Sequence, residues 1–125
     1  MKRMIVGIGT DLVEVGRIRN ALDNSRFLEK CFSAEERELL DAKNDPAPSA
    51  ANNFAAKEAF SKALGTGVRG FALCEVAVLR DALGKPYIRL SGKAEAAAQA
   101  HGVERIHVSL TNTEAYASAF VVLEG

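Results

Sequence analysis

Phe54, Glu58 and Lys62 follow one another at intervals of four, a spacing that lays them along one row of a helix. A carboxylate one turn ahead of an ammonium is a favourable surface pair, worth about 0.3–0.5 kcal/mol. Spacing alone does not say whether the pair does more than that. Lys57 adds a second cation beside Glu58, and alanines at 55, 56, 59 and 63 let the helix come close to whatever it packs on. Asp11 follows Gly7-Ile8-Gly9-Thr10 at the end of a short apolar stretch. There it either holds a cation or caps the next helix. Leu12 stands where a dinucleotide fingerprint needs its third glycine, and the stretch is not a P-loop either.

His107, Ser109 and Thr111 alternate with Ile106, Val108 and Leu110, which puts the polar set on one face of a strand. That face is either simply wet or a phosphate-binding wall, since hydroxyls and an imidazole N–H all donate hydrogen bonds. His101, beside Gly102, is expected to cap a helix end at the surface. Arg17, Arg19, Arg26 and Lys30, interrupted by Asp23 and Glu29, form either a solvated face or a docking surface for an acidic protein.

These groups need a frame. The chain has 125 residues, with 48% hydrophobic and 26% charged, which predicts one soluble domain spanning 1–125 with a real core. Lys plus Arg number 16 and Asp plus Glu number 16, so no global positive field favours nucleic acid or an anionic membrane. The apolar stretch after Met1-Lys2-Arg3 is broken by Gly7 and Gly9 and stopped by Asp11, too short for a signal peptide. No run is long enough to cross a membrane. Cys31 and Cys74 lack CxxC spacing, and both are expected as small core residues rather than a disulfide or metal site. The expected address is the cytoplasm.

Periodicity predicts a strand over 4–10 and one helix over 13–31, with Val13, Ile18, Leu22, Phe27 and Leu28 turned inward. Ser33-Ala34-Glu35-Glu36 is a capping box that starts a helix running to about Lys43. Asp45-Pro46-Ala47-Pro48 is expected as a loop, and Ser49 to Leu64 as a long helix ended by Gly65-Thr66-Gly67. Strands over 74–80 and 86–90 flank a turn at Ala82-Leu83-Gly84-Lys85. A short helix over 92–101 follows, then a hairpin of 105–111 with 115–123. Helices and strands segregate, which argues for an α+β fold with an antiparallel sheet packed on a long helix.

Together these pieces resemble the holo-acyl-carrier-protein synthase family of 4′-phosphopantetheinyl transferases. The resemblance covers nearly the whole chain. It rests on Gly7-Ile8-Gly9-Thr10-Asp11-Leu12-Val13-Glu14 and on Phe54-Ala55-Ala56-Lys57-Glu58-Ala59-Phe60-Ser61-Lys62-Ala63-Leu64-Gly65-Thr66-Gly67. Gly84-Lys85-Pro86 and His107-Val108-Ser109-Leu110 follow in register. The resemblance implies transfer of the phosphopantetheine arm of coenzyme A to a serine of apo-acyl carrier protein, in fatty acid biosynthesis, with adenosine 3′,5′-bisphosphate as the other product. It implies that Asp11 and Glu58 bind Mg²⁺, with the substrate's phosphate oxygens and waters completing the shell. Glu58, or a metal-bound water near it, would accept the serine proton, and Lys62 would neutralise charge on the departing bisphosphate. Lys57, Gly65, Lys85, Pro86, His107 and Ser109 are the implied coenzyme A contacts. Arg17, Arg26 and Phe27 are the implied contacts of the carrier protein, and the implied assembly is a homotrimer with coenzyme A between subunits.

One position departs from that pattern. Relatives usually carry Arg just before the Phe-Ala-x-Lys-Glu block, where this chain has Asn53 after Asn52. An amide supplies no charge, so phosphate binding is expected to lean on Lys57, Arg69 or Lys85. A non-catalytic coenzyme A or carrier-protein binding module is the alternative, and it predicts loss of a metal carboxylate or of Lys62. A structural protein whose Glu58 and Lys62 form only a surface bridge is a third reading.

Overall fold

The computed structural model describes residues 4–67 and 69–125. Met1, Lys2 and Arg3, the charged start of the leader considered above, lie outside them. Strand β1 (Ile5–Glu14) leads into three short helices, α1 (Val15–Ala21), α2 (Ser25–Cys31) and α3 (Ala34–Asp41). The long helix α4 (Ala47–Leu64) follows. A 3₁₀ turn (Leu73–Glu75) opens the hairpin of β2 (Val76–Arg80) and β3 (Pro86–Leu90). Helix α5 (Gly92–Ala100), β4 (Arg105–Asn112) and β5 (Tyr116–Glu124) close the chain. β5 lies between β1 and β4 in a three-stranded antiparallel sheet, and β2 pairs with β3 in a second, two-stranded one. The α+β segregation expected from the sequence is the observed one.

Helix α4 crosses the inner face of β1 and β5, and the sequence arranges that approach on both sides. A Cβ at Gly7 would overlap the Ala63 carbonyl oxygen, and one at Gly9 would overlap that of Ala59. The Gly-x-Gly stretch is therefore a packing device. The alanines at 55, 56, 59 and 63 are buried with Phe60, Val121 and Leu123 in the main core cluster. A second cluster gathers Val15, Ile18, Phe32, Leu40 and Ala51 under α1–α3.

Four expectations need correction. The first strand runs on to Glu14, so Asp11 sits inside it, opposite Ala119 of β5, rather than at its end. Asp11 does not cap α1, whose N-cap is Glu14 with no side-chain bond. The single helix over 13–31 is two helices, because Asn24 turns the chain and its side chain accepts from Arg26 N at 2.9 Å. Pro46 and Pro48 do not hold a loop: Pro46 is the N-cap of α4 and Pro48 lies in its first turn, where the missing N–H costs nothing. The Ser33–Glu36 capping box forms as expected, with both bonds present. Gly65 ends α4 with φ of 82°, a left-handed value that suits glycine.

Candidate active site

Strand pleat and helix period bring the chemistry together. Gly7, Gly9 and Asp11 share the face of β1 turned to α4, so Asp11 meets the row that carries Glu58 and Lys62. Lys62 Nζ donates to Asp11 Oδ1 and to the Thr10 carbonyl, both at 3.0 Å. Glu58 forms no ion pair among the described residues, so the surface bridge between Glu58 and Lys62 is not made. The two carboxylates line one cavity of about 290 Å³ with Arg17, Ile18, Phe27 and Phe54. Burial raises the pKa of Glu58, the negative charge of Asp11 raises it further, and Lys62 opposes both. That mutual repulsion is the electrostatic condition a divalent cation relieves. Among the described residues no group of three or more His, Cys, Asp or Glu gathers, so the protein's donors for a metal would be two hard carboxylates. That set suits an ion that keeps waters and borrows substrate oxygens.

A second cavity, of about 480 Å³, lies beside the β2–β3 turn and β4. Gly84, Lys85, Pro86 and Ser109 line it together. Asp81 builds the turn by accepting from Leu83 N and Lys85 N, each at 2.9 Å. His107 is on the same strand face as Ser109 but outside this lining, its Nε2 lying 3.1 Å from Glu124 Oε1. Gly65 is exposed at the end of α4 and lines neither cavity. Arg17 and Arg26 are exposed and form no ion pair among the described residues, whereas Arg19 is engaged by Asp45 at 2.9 Å. His101 Nδ1 lies 2.8 Å from the Ala97 carbonyl oxygen at the exposed end of α5, the expected cap.

Lys57 is the clearest correction among the site residues. It is fully buried, and its ammonium donates to Glu36 Oε1 at 2.6 Å, Val76 O at 2.6 Å and Leu73 O at 3.1 Å. It also lies 5.4 Å from the centre of the Phe32 ring. Burial pushes its pKa down and Glu36 pulls it back. All its donors are spent on the core, so it is not a coenzyme A contact. Asn53, the departure from the family pattern, belongs to the same knot: its amide donates to Glu36 Oε2 and to Val78 O. The part that Glu36 and Arg80 play around Asn53 and Lys57 had no signal in spacing, because those partners lie 17 to 27 residues away. Cys31 and Cys74 are free thiols, half-buried where α2 meets the 3₁₀ turn rather than in the core.

An α+β frame thus holds a carboxylate pair at one cavity, an ammonium bonded to one of the pair, and the cations Arg80 and Lys85 at another, an arrangement suited to a phosphate-bearing group. The model of the 4′-phosphopantetheinyl transferase superfamily matches residues 7–121, and the chain belongs to that family. A holo-[acyl-carrier-protein] synthase of Lachnoclostridium phytofermentans is 50% identical over 121 residues, 97% of each chain. Among solved structures, the holo-[acyl-carrier-protein] synthase of Neisseria meningitidis superposes with a TM-score of 0.90 at 35% identity, covering 98% of this chain and 100% of that one. The Bacillus anthracis synthase in complex with coenzyme A (3′,5′-ADP) gives 0.82 at 34% identity, with 98% of both chains covered.

Proposed function

We infer that this chain transfers the 4′-phosphopantetheine arm of coenzyme A to a serine of apo-acyl carrier protein, releasing adenosine 3′,5′-bisphosphate. The observation that carries the reading is Asp11 and Glu58 lining one cavity, with Lys62 bonded to Asp11, inside a family match over residues 7–121. The serine hydroxyl attacks the pyrophosphate phosphorus that bears the pantetheine. The bond from that phosphorus to the bridging oxygen breaks, the electron pair leaves on the bisphosphate, and the serine proton goes to a base. Glu58, or a water held near it, would take it, since Glu58 faces the cavity where the pyrophosphate would lie. Lys62, with its side chain 55% exposed, is free to swing from Asp11 to the departing phosphate. Asp11 and Glu58 would hold Mg²⁺, which supplies charge neutralisation and alignment of the pyrophosphate.

Arg17 and Phe27 line the same cavity, and with the exposed Arg26 they would form the surface for the acidic carrier protein. Charge reversal at Arg17 is expected to raise the KM for carrier protein about tenfold, and an unchanged KM removes that assignment. The outer face of the sheet supports assembly of copies. Ile8, Leu12 and Phe120 stand on it 60%, 66% and 48% exposed, apolar side chains that a neighbouring copy would cover. We assign a homotrimer, which light scattering checks: a monomer that turns over removes it. No described helix is long and apolar enough to cross a membrane. Two free thiols fit the reducing cytoplasm, where we place the reaction.

Intact-mass spectrometry of apo-acyl carrier protein incubated with this protein, coenzyme A and Mg²⁺ tests the whole reading. A gain of one phosphopantetheine that needs both coenzyme A and Mg²⁺ is the expected result. Coenzyme A binding without any gain would instead favour the non-catalytic binding module.

A further inference from the structure

Cys31 is the last residue of α2, and Cys74 is the middle residue of the 3₁₀ turn against which that helix packs. Both thiols are free and half-buried, and the transfer chemistry uses neither. One side chain ties the two positions together. Lys57 Nζ donates to Leu73 O at 3.1 Å and to Val76 O at 2.6 Å, the carbonyls on either side of Cys74. The same ammonium lies 5.4 Å from the centre of the ring of Phe32, the residue after Cys31. Burial pushes the Cys31 thiol up, Lys57 opposes that, and a charge on Cys74 would add to it. A cation beside two half-exposed thiols is the setting of a reactive pair rather than of two inert core residues.

The helix that ends at Cys31 also reaches the catalytic cavity. Phe27 stands four residues earlier, on the same row of α2, and lines the cavity that holds Asp11 and Glu58. Its ring centre is 5.8 Å from those of Phe32 and Phe54, so it is packed rather than loose. A disulfide sets its two α-carbons about 5.5–6 Å apart, which would fix the last turn of α2 against the 3₁₀ turn. A shift imposed at Cys31 is then carried one turn back to Phe27. No residue of α2 lines the cavity of Lys85 and Ser109.

We propose that Cys31 and Cys74 are a reversible redox pair, which hydrogen peroxide closes to an intramolecular disulfide and which, once closed, weakens engagement of the carrier protein through α2. One thiolate attacks a peroxide oxygen, the O–O bond breaks, and hydroxide leaves and is protonated to water. The sulfenic acid so formed is attacked at sulfur by the second thiolate, the S–S bond forms, and a second water leaves. The two thiols give up two electrons and the peroxide takes them. A dithiol reductant reverses the step, as befits a transient disulfide in a reducing compartment. The pair stands by itself, and its effect on the carrier protein rests on the transferase reading above.

The folded wild-type chain is treated with hydrogen peroxide, its remaining thiols are alkylated with iodoacetamide, and intact mass and unreduced peptide maps are read. The reduced protein should take a label on each cysteine. The oxidised protein should take none, weigh less by two hydrogens, and yield one peptide linking Cys31 to Cys74, and dithiothreitol should restore both labels. Oxygen added to either sulfur without a link, or a link only between two chains, overturns the pair. Steady-state kinetics then tests the consequence. Oxidation should raise the KM for carrier protein about 5- to 10-fold, the scale of a modest coupling between sites. The KM for coenzyme A should change less than about twofold, since its cavity shares no residue with α2. Peroxide should leave both constants unchanged in Cys31→Ser and in Cys74→Ser, which excludes oxidation elsewhere as the cause. A linked peptide with no change in KM, or with an equal rise for both substrates, overturns the role given to α2. If the Ser variants do not fold, the Ala variants replace them. If the reduced protein modifies no carrier protein, the transferase reading has failed, and the linked peptide alone still decides the pair.

Discussion

Lys57 and Lys62 stand five residues apart on α4, each with a carboxylate partner, and have opposite fates. The Lys57–Glu36 pair leaves neither side chain exposed, whereas in Lys62–Asp11 the side chains are 55% and 16% exposed. Lys57 is surrounded by fixed acceptors and cannot leave without stranding a charge. Lys62 holds Asp11 at the edge of water, where exchanging one anion for another costs little. Five residues turn a helix by about 140°, enough to carry one lysine into the core and the other out to Asp11 at the surface. Burial, more than residue type, separates scaffold from chemistry here.

Breaking the buried pair gives the largest expected effect. Lys57→Met leaves Glu36 charged in the core and should cost about 3–5 kcal/mol of stability, measured by urea unfolding. The molecules that stay folded should keep most of their turnover. Adding Glu36→Gln removes the stranded charge and should recover more than half of the loss. A loss of turnover out of proportion to the folded fraction would instead put Lys57 in the chemistry.

The exposed pair should respond the other way. Lys62→Ala is expected to lower kcat about 10²- to 10³-fold, as when one preorganised donor to developing charge is removed. Its cost in stability should stay under about 1 kcal/mol, because a half-exposed bridge is screened. If Lys62→Ala unfolds the protein while Lys57→Met does not, the contrast between the two lysines is wrong.

The same contrast marks how far the sequence was legible. Periodicity, the Ser33–Glu36 box and the Gly65 terminus gave the order and type of most elements, because each is a local signal. The row of Glu58 and Lys62 was visible for the same reason. What escaped depends on contacts across the fold. Nothing local to Lys57 announces Glu36, and Glu36 already had a complete local explanation as a capping residue. Asp11 looked terminal because the strand expected over 4–10 stopped before it and aspartate is a poor strand former, yet pairing with β5 extends the strand to Glu14. Arg80 drew no reading from the sequence, because Asn53 and β4, which shape its surroundings, are distant in the chain.

The smallest effect tests the electrostatics of Glu58 itself. Its folded pKa lies above the ordinary 4.5, so the folded chain holds more protons than the unfolded one in the window just above 4.5. Stability is therefore lost as pH rises through that window, and the penalty is fully present once pH exceeds the folded value. Glu58→Gln removes the charge and should stabilise the chain at neutral pH by under about 1 kcal/mol, a figure discounted because the side chain is only half-buried. The gain should vanish below about pH 4, where Glu58 is protonated in both states. Mg²⁺ should reverse the ranking, since an ion held by Asp11 and Glu58 stabilises the wild type by mass action and the Gln variant less. Urea midpoints for the two proteins, with and without Mg²⁺ and at two pH values, separate these arms. If Mg²⁺ shifts both midpoints equally, Glu58 is not a ligand, and its raised pKa serves proton transfer alone.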